Sequence, residues 1–198
     1  TIPDTTGFCL PNDFGDLILF LKNNISNIDQ ATLSVHCHND LGLATATTLS
    51  GALAGALQIE TTINGIGERA GNASFEEIAL ILKKKLSDKF YTNIKTKKIY
   101  ETCHFISKIT KVPIASNKAI IGSNTFTHSS GIHQDGVLKD PRNYEIMSPS
   151  EIGAPASTFT LTARSGRKGL ALSLRELCDY KAEGSDLNSI YNEFIELA

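Results

Sequence analysis

The sequence predicts an α/β fold of parallel strands joined by helical crossovers, and three observations point to it. Strand-like and helix-like periodicity alternate three times between residues 1 and 86. The connections are short, and parallel strands can be joined only by crossovers of the kind these helices supply. The residues able to do chemistry lie where strands end, which is where parallel α/β folds place their sites. Three such units fit either an open doubly wound sheet or part of a (β/α)8 barrel. The pattern covers roughly 90 residues and a complete barrel needs about 250, so in a barrel a large part would lie outside this chain.

The elements follow in order. Ile2, Thr5 and Thr6 in TIPDTTG read as a short strand running into a turn at Gly7. Asn12 or Asp13 is placed to cap an amphipathic helix reaching about Asn24, with Phe14, Leu17, Ile18 and Leu21 at three- and four-residue spacing. Thr32 to His38 alternates like a strand, and Leu43 to Leu57 is an Ala- and Leu-rich helix. Ile59 to Ile63 forms the next strand, ending in NGIGERAGN, and a third helix runs from about Ala73 to Leu86. A long helix is expected over residues 94 to 111, ended by Pro113. Residues 114 to 157 are rich in Gly, Ser, Asn, Pro and His with little periodicity, as in a functional loop or linker. Thr158 to Ala198 reads as a short segment followed by two helices, the last capped by Ser185 or Asp186.

At 198 residues, 41% hydrophobic and with a formal charge of -2, the chain can bury a core, but it lacks the basic footprint that nucleic acid requires. Cys9, Cys37, Cys103 and Cys178 are widely separated and form no CxxC pair. That speaks against a zinc knuckle and a disulfide framework, and fits a reducing cytoplasm. No apolar run approaches the ~20 residues of a membrane span, and the amino terminus is not signal-like.

Three stretches carry chemistry. In SVHCHND, residues 34 to 40, His36 and His38 share one strand face while Val35 and Cys37 point the other way, which removes Cys37 as a ligand. Two imidazoles about 7 Å apart can chelate a divalent ion if a carboxylate or amide completes the shell. Two hydrogen-bonded histidines on an interior strand are the plainer alternative. The loop GIGERAGN lacks both the dinucleotide and the P-loop patterns. Its glycines allow a tight fold that sets Glu68 and Asn72 beside the neighbouring histidines; the alternative is a helix start with Asn72 as its cap. In HSSGIHQDG, residues 128 to 136, His133 suggests an acid/base group, although a solvated loop histidine is the commoner occurrence. Ser129 and Ser130 form no GxSxG elbow, and His104, inside the long helix, takes no role.

TIPDTTG (1 to 7), HCHNDLGLA (36 to 44), NGIGERAGNASFEEI (64 to 78) and SGIHQDGVLKDPRNYEIMSPSEIG (130 to 153) together resemble the isopropylmalate synthase and homocitrate synthase family, metal-dependent acyltransferases with a TIM-barrel catalytic domain. HxHND followed by GIGERAGN is specific to the family, and SGIHQDG followed by YEIM points to its isopropylmalate synthase branch. The resemblance implies the carboxyl-terminal part of a (β/α)8 barrel followed by a mainly helical linker subdomain. Its divisions are a partial barrel over residues 1–112, a linker reaching the active site over 113–157 and a small helical subdomain over 158–198. It implies His36 and His38 as metal ligands, with Asn72 completing or bordering the site. Thr5 would hold the carboxylate of a 2-oxo acid, and His133 would act in acid/base steps at the partner subunit's site. The implied cofactor is a divalent metal, Mn2+, Zn2+ or Mg2+, with K+ as an activator.

The implied reaction condenses acetyl-CoA with 3-methyl-2-oxobutanoate and hydrolyses the thioester, in a cytoplasmic homodimer with no nucleic-acid or membrane partner. A third, aspartate ligand and an adjacent arginine and glutamate belong, in the family, to earlier strands, so the 198 residues alone are expected to be inactive. Two alternatives stand beside this reading. One is a citramalate or homocitrate synthase, and the other a non-catalytic half-barrel used in assembly or binding.

Overall fold

In a computed structural model that describes residues 1–128, 135–137, 139–156, 158–159, 161 and 165–197, the chain forms two units, Thr1–Ile114 and Ala115–Ala198. The first unit holds three parallel strands in the order β1 (Ile2–Asp4), β2 (Ser34–Cys37), β3 (Gln58–Glu60). Pro3 and Glu60 flank His36 in register. The helices α1 (Pro11–Asn24) and α2 (Ala44–Leu53) make the crossovers, and α3 (Phe75–Lys85) and α4 (Ile99–Thr110) follow β3.

Phe14 and Ile18 of α1, Val35 and Cys37 of β2, and Ala44, Ala56 and Ala73 form one buried cluster. The alternation expected for β2 is therefore realised: Val35 and Cys37 are fully buried against the helices, while the histidines occupy the other face. Burial pushes the Cys37 thiol up to about 11, and its side chain lies in the helix-facing cluster, away from the histidine face. Small residues let the layers approach. A Cβ on Gly51 would stand 2.9 Å from Val35 Cγ1 and 3.1 Å from a Phe14 ring carbon, so α2 can lie against α1 and β2 only with a hydrogen there.

Several expected boundaries move. Helix α1 starts at Pro11, with Leu10 as its N-cap, so Asn12 and Asp13 sit inside the first turn. Proline suits this first position because its missing N–H would be an orphan there and its fixed φ is already helical. Helix α2 ends at Leu53 rather than Leu57, since residues 54 to 57 descend into β3. The third strand closes at Glu60, and Ile63–Gly65 is a 3-10 turn. Ser74, not Asn72, occupies the N-cap of α3. Acidic Glu76 and Glu77 in its first turn and Lys83, Lys84 and Lys85 in its last complement the helix dipole.

The second unit pairs β4 (Thr127–His128) in parallel with β5 (Thr158–Phe159). Within the stretch expected to be irregular lies α5 (Pro149–Ile152), whose four residues are fixed by a capping box between Ser148 and Glu151. Two helices follow, α6 (Arg167–Cys178) and α7 (Gly184–Leu197). Because α7 begins at Gly184, Ser185 and Asp186 lie in its first turn rather than at a cap. Arg167 ties the two together, its guanidinium 4.4 Å from the Tyr191 ring centroid and its Nε donating to Asn188 Oδ1 at 2.7 Å. His128 and Glu145, both nearly buried, meet at 3.0 Å. Asp135 is held between Lys139 and Lys168. Among the described residues, no helix is long and apolar enough to cross a membrane.

Candidate functional site

The site assembles at the carboxyl ends of the three strands of the first unit. Asp4 closes β1 and is buried, and its carboxylate accepts the backbone N–H groups of Phe8 at 3.1 Å and Cys9 at 3.3 Å. An aspartate bonding the backbone a few residues ahead makes the tight turn that TIPDTTG encodes. The Asp4 carbonyl oxygen then accepts from Gly7 N–H at 3.2 Å and His38 N–H at 3.3 Å.

His38 Nδ1 also lies 3.3 Å from that carbonyl oxygen. A carbonyl only accepts, so Nδ1 is the donor and, in the neutral ring, Nε2 carries the lone pair. This is the arrangement that orients a metal-binding imidazole. His36 is two residues back on the same face, its ring centroid 4.9 Å from that of His38 and nearly perpendicular to it. His36 Nδ1 lies 3.1 Å from Glu60 Oε2. The approach is poorly aligned, so the two groups stand in close contact without a true hydrogen bond. Glu60 is aimed at it by the hydroxyls of Thr1, at 2.7 Å, and Ser34, at 2.9 Å, both bonded to Oε1. Those two bonds, with His36 adding to them, hold its carboxyl below the usual range.

Asn72 reaches the site through the loop after β3. It forms an isolated antiparallel bridge with His38, flanked by Asn39 N–H to Gly71 O at 2.9 Å and Ala73 N–H to Cys37 O at 3.2 Å. Its side-chain Nδ2 donates to Ile66 O at 3.1 Å, whereas its Oδ1 is buried without a hydrogen-bond partner. A buried carbonyl-type oxygen left unsatisfied costs about 1–3 kcal/mol. Such an atom, on the residue whose backbone is bridged to a His38 with a committed Nδ1, fits a cation ligand, so His36, His38 and Asn72 suit a divalent ion with borderline or hard preferences. Gly71 makes this approach possible: its φ is +89°, and a Cβ there would stand 2.0 Å from Gly65 O.

Arg69 clamps the mouth of the site. Its Nε donates to Asp40 Oδ1 at 2.8 Å, and its Nη2 donates to Asp40 Oδ2 at 3.2 Å and to the Thr5 carbonyl at 2.8 Å. The loops after all three strands are thereby joined. Thr5 itself is exposed beside this clamp. Glu68, expected next to the histidines, instead has a side chain 80% exposed and lies 3.6 Å from Arg69. His133 lies outside the described residues. Among the described residues, no three His, Cys, Asp or Glu side chains gather into a metal-binding group.

Sequence alone assigns no site role to Asp4, Glu60, Asp40 or Arg69. The Asp-Thr-Thr-Gly turn marks Asp4, and Glu60 follows Gln58 on one face by strand alternation. The Asp40–Arg69 pair spans 29 residues, and no local pattern encodes it.

A family model described as HMGL-like matches residues 1–106, and one described as homocitrate synthase post-HMGL domain-like matches residues 120–198. The chain is 50% identical over 197 residues to a 2-isopropylmalate synthase of Parabacteroides distasonis. It is 52% identical over 198 residues to one of Pseudoalteromonas atlantica and 51% identical over 199 residues to one of Campylobacter jejuni. Each alignment covers 100% of this chain and 38–39% of the relative, so the chain spans about two fifths of their length. An HMG-CoA lyase from A. baumannii, solved with coenzyme A and 3-methylmalate, superposes with a TM-score of 0.50 at 21% identity, covering 60% of this chain and 40% of that one. That likeness concerns the fold alone, and with the family match it identifies the three strand–helix units as part of a TIM barrel.

Proposed function

The chain belongs to the HMGL-like family, and from that premise we propose that it supplies the metal-binding strands of a 2-isopropylmalate synthase. The reaction is the condensation of acetyl-CoA with 3-methyl-2-oxobutanoate and hydrolysis of the thioester, giving CoA and 2-isopropylmalate for leucine biosynthesis. The observation that carries the metal site is the buried, unsatisfied Oδ1 of Asn72, the residue bridged through its backbone to a His38 whose Nδ1 is already committed. Identity of 50–52% along the whole chain supports the choice of substrate.

In this reading His36, His38 and Asn72 hold a divalent ion, Mn2+, Zn2+ or Mg2+, with a carboxylate from an earlier strand of the longer protein completing the set. Enzymes of the family generally depend on such a metal. When bound, the ion supplies Lewis-acid polarisation of the oxo-acid carbonyl. The chain's own groups do the positioning. The Asp4 carbonyl fixes the His38 tautomer, Glu60 faces the outer nitrogen of His36, and Arg69 sets the Thr5 loop so that Thr5 can take the substrate carboxylate. His133 serves the partner subunit's site as an acid/base group, in a cytoplasmic homodimer, and K+ activates. Residues 1–112 act as barrel, 113–157 as linker and 158–198 as helical subdomain.

Release of CoA thiol, measured with 3-methyl-2-oxobutanoate, pyruvate and 2-oxoglutarate in turn, tests the reading in the full-length protein. A preference for 3-methyl-2-oxobutanoate is expected; preference for either competitor would reassign the substrate, and no release with any would refute the acyltransferase reading. The 198 residues alone should turn over negligibly, because two imidazoles and one amide form a weak ligand set.

A further inference from the structure

Glu76 is fully buried in the first turn of α3, and nothing in the proposed reaction uses it. Burying a carboxylate is costly unless bonds compensate, so an apolar residue would serve packing better. Its bonds lead to the loop after β3. Glu76 Oε2 accepts the backbone N–H of Asn64 at 3.0 Å. Asn64 has φ of +62°, a left-handed conformation that non-glycine residues seldom adopt and asparagine tolerates better than most. Its side-chain Nδ2 donates to the Cys103 carbonyl of α4 at 2.9 Å, and Cys103 Sγ stands 3.9 Å from Glu76 Oε2. Two helices therefore grip one left-handed residue.

The residues immediately after Asn64 are those that hold Asn72. Gly65 O accepts the Asn72 backbone N–H at 2.9 Å, and Ile66 O accepts its Nδ2 at 3.1 Å. A continuous series of bonds thus runs from the buried carboxylate through Asn64 and the next two carbonyls to the side chain whose Oδ1 is left for a ligand. We infer that Glu76 and Asn64 are positioning residues for Asn72, fixing the turn that presents its amide oxygen. The inference rests on the reading of Asn72 as a metal ligand.

The test compares Mn2+ affinity of the metal-free full-length protein, by calorimetry well below the unfolding temperature, for Glu76→Gln, Asn64→Gly and Asn72→Ala. Asn64→Gly keeps the left-handed backbone accessible while removing the tie to Cys103. Glu76→Gln and Asn64→Gly should each weaken binding about tenfold or more, as loss of an outer partner of a metal ligand does. Their thermal transitions should remain cooperative. Should Asn72→Ala bind Mn2+ like the wild type, the ligand reading fails independently of Glu76. Should Asn72→Ala lose affinity while the other two variants keep it, the positioning role is overturned and the ligand reading survives. If Glu76→Gln does not fold, Asn64→Gly decides alone; failure of both to fold would make the buried pair a folding element and overturn the inference.

Discussion

The ring nitrogen Nδ1 of His38, near the end of one strand's path, lies 3.3 Å from the carbonyl oxygen of Asp4 on the neighbouring strand. That oxygen also receives the N–H of Gly7 and of His38 itself. The turn that ends β1 and the imidazole that follows β2 are thus parts of one hydrogen-bonded unit. Disturbing the turn disturbs the imidazole.

Asp4→Ala removes the acceptor for the N–H groups of Phe8 and Cys9. We expect destabilisation of about 1–3 kcal/mol, as for a buried hydrogen-bonding group left without its partner. Mn2+ affinity should fall with it, because the Asp4 carbonyl shifts with the turn. Urea denaturation and metal titration of the variant measure the two effects, and stability loss without affinity loss would show that the turn does not orient His38.

Gly71→Ala places a methyl group 2.0 Å from Gly65 O at a φ of +89°. Left-handed strain and overpacking together predict a loss of about 2–4 kcal/mol. Since Asn39 bonds to Gly71 O and Asn72 to Gly65 O, metal binding should fail before the barrel core does. Circular dichroism with Mn2+ titration separates these outcomes.

Arg69 holds the Asp40 carboxyl below its ordinary value, chiefly through their hydrogen bonds. A depressed folded pKa means stability that is present above the unfolded pKa, near 4, and is lost as pH falls through the folded value. The stability difference between wild type and Arg69→Gln should therefore be constant at neutral pH and shrink below about pH 4. Both groups are open to solvent, so the difference should also fall with added salt. A gap independent of pH and salt would show that Arg69 acts by packing instead.

Cys178 is exposed, whereas Cys37 and Cys103 are buried, and burial raises Cys37 to about 11. Alkylation of the native protein at pH 8 should modify Cys178 rapidly and leave Cys37 and Cys103 unreacted until denaturant is added. Mass spectrometry of quenched samples reads this directly. Early modification of Cys37 would mean that the α1–α2 layer opens in the native state.

Much of the fold was legible because its signals are local. Alternation in Thr32 to His38 separated the histidine face from the Val35–Cys37 face, and the structure keeps that division. Boundaries were less legible where competing chemistry decided them. Pro11 starts the helix ahead of Asn12 and Asp13, whose residue types suit a cap, and Ser74 rather than Asn72 takes the cap of α3. His36, His38 and Asn72 stand out in the sequence by residue type, at the end of a strand and in the loop after the next one. Their supports were not, since Glu60 acts across the register of two strands and Arg69 across 64 residues to Thr5. Such pairings depend on how loops lie together, which periodicity does not encode.

The most direct test is Mn2+ or Zn2+ binding by the metal-free full-length protein against the double variant His36→Ala, His38→Ala. The metal-site reading predicts that stoichiometric binding is lost, or weakened by at least about a hundredfold, while the fold and the thermal transition are retained. Affinity equal to that of the wild type would contradict it, and the two imidazoles would then be hydrogen-bonded residues of an interior strand.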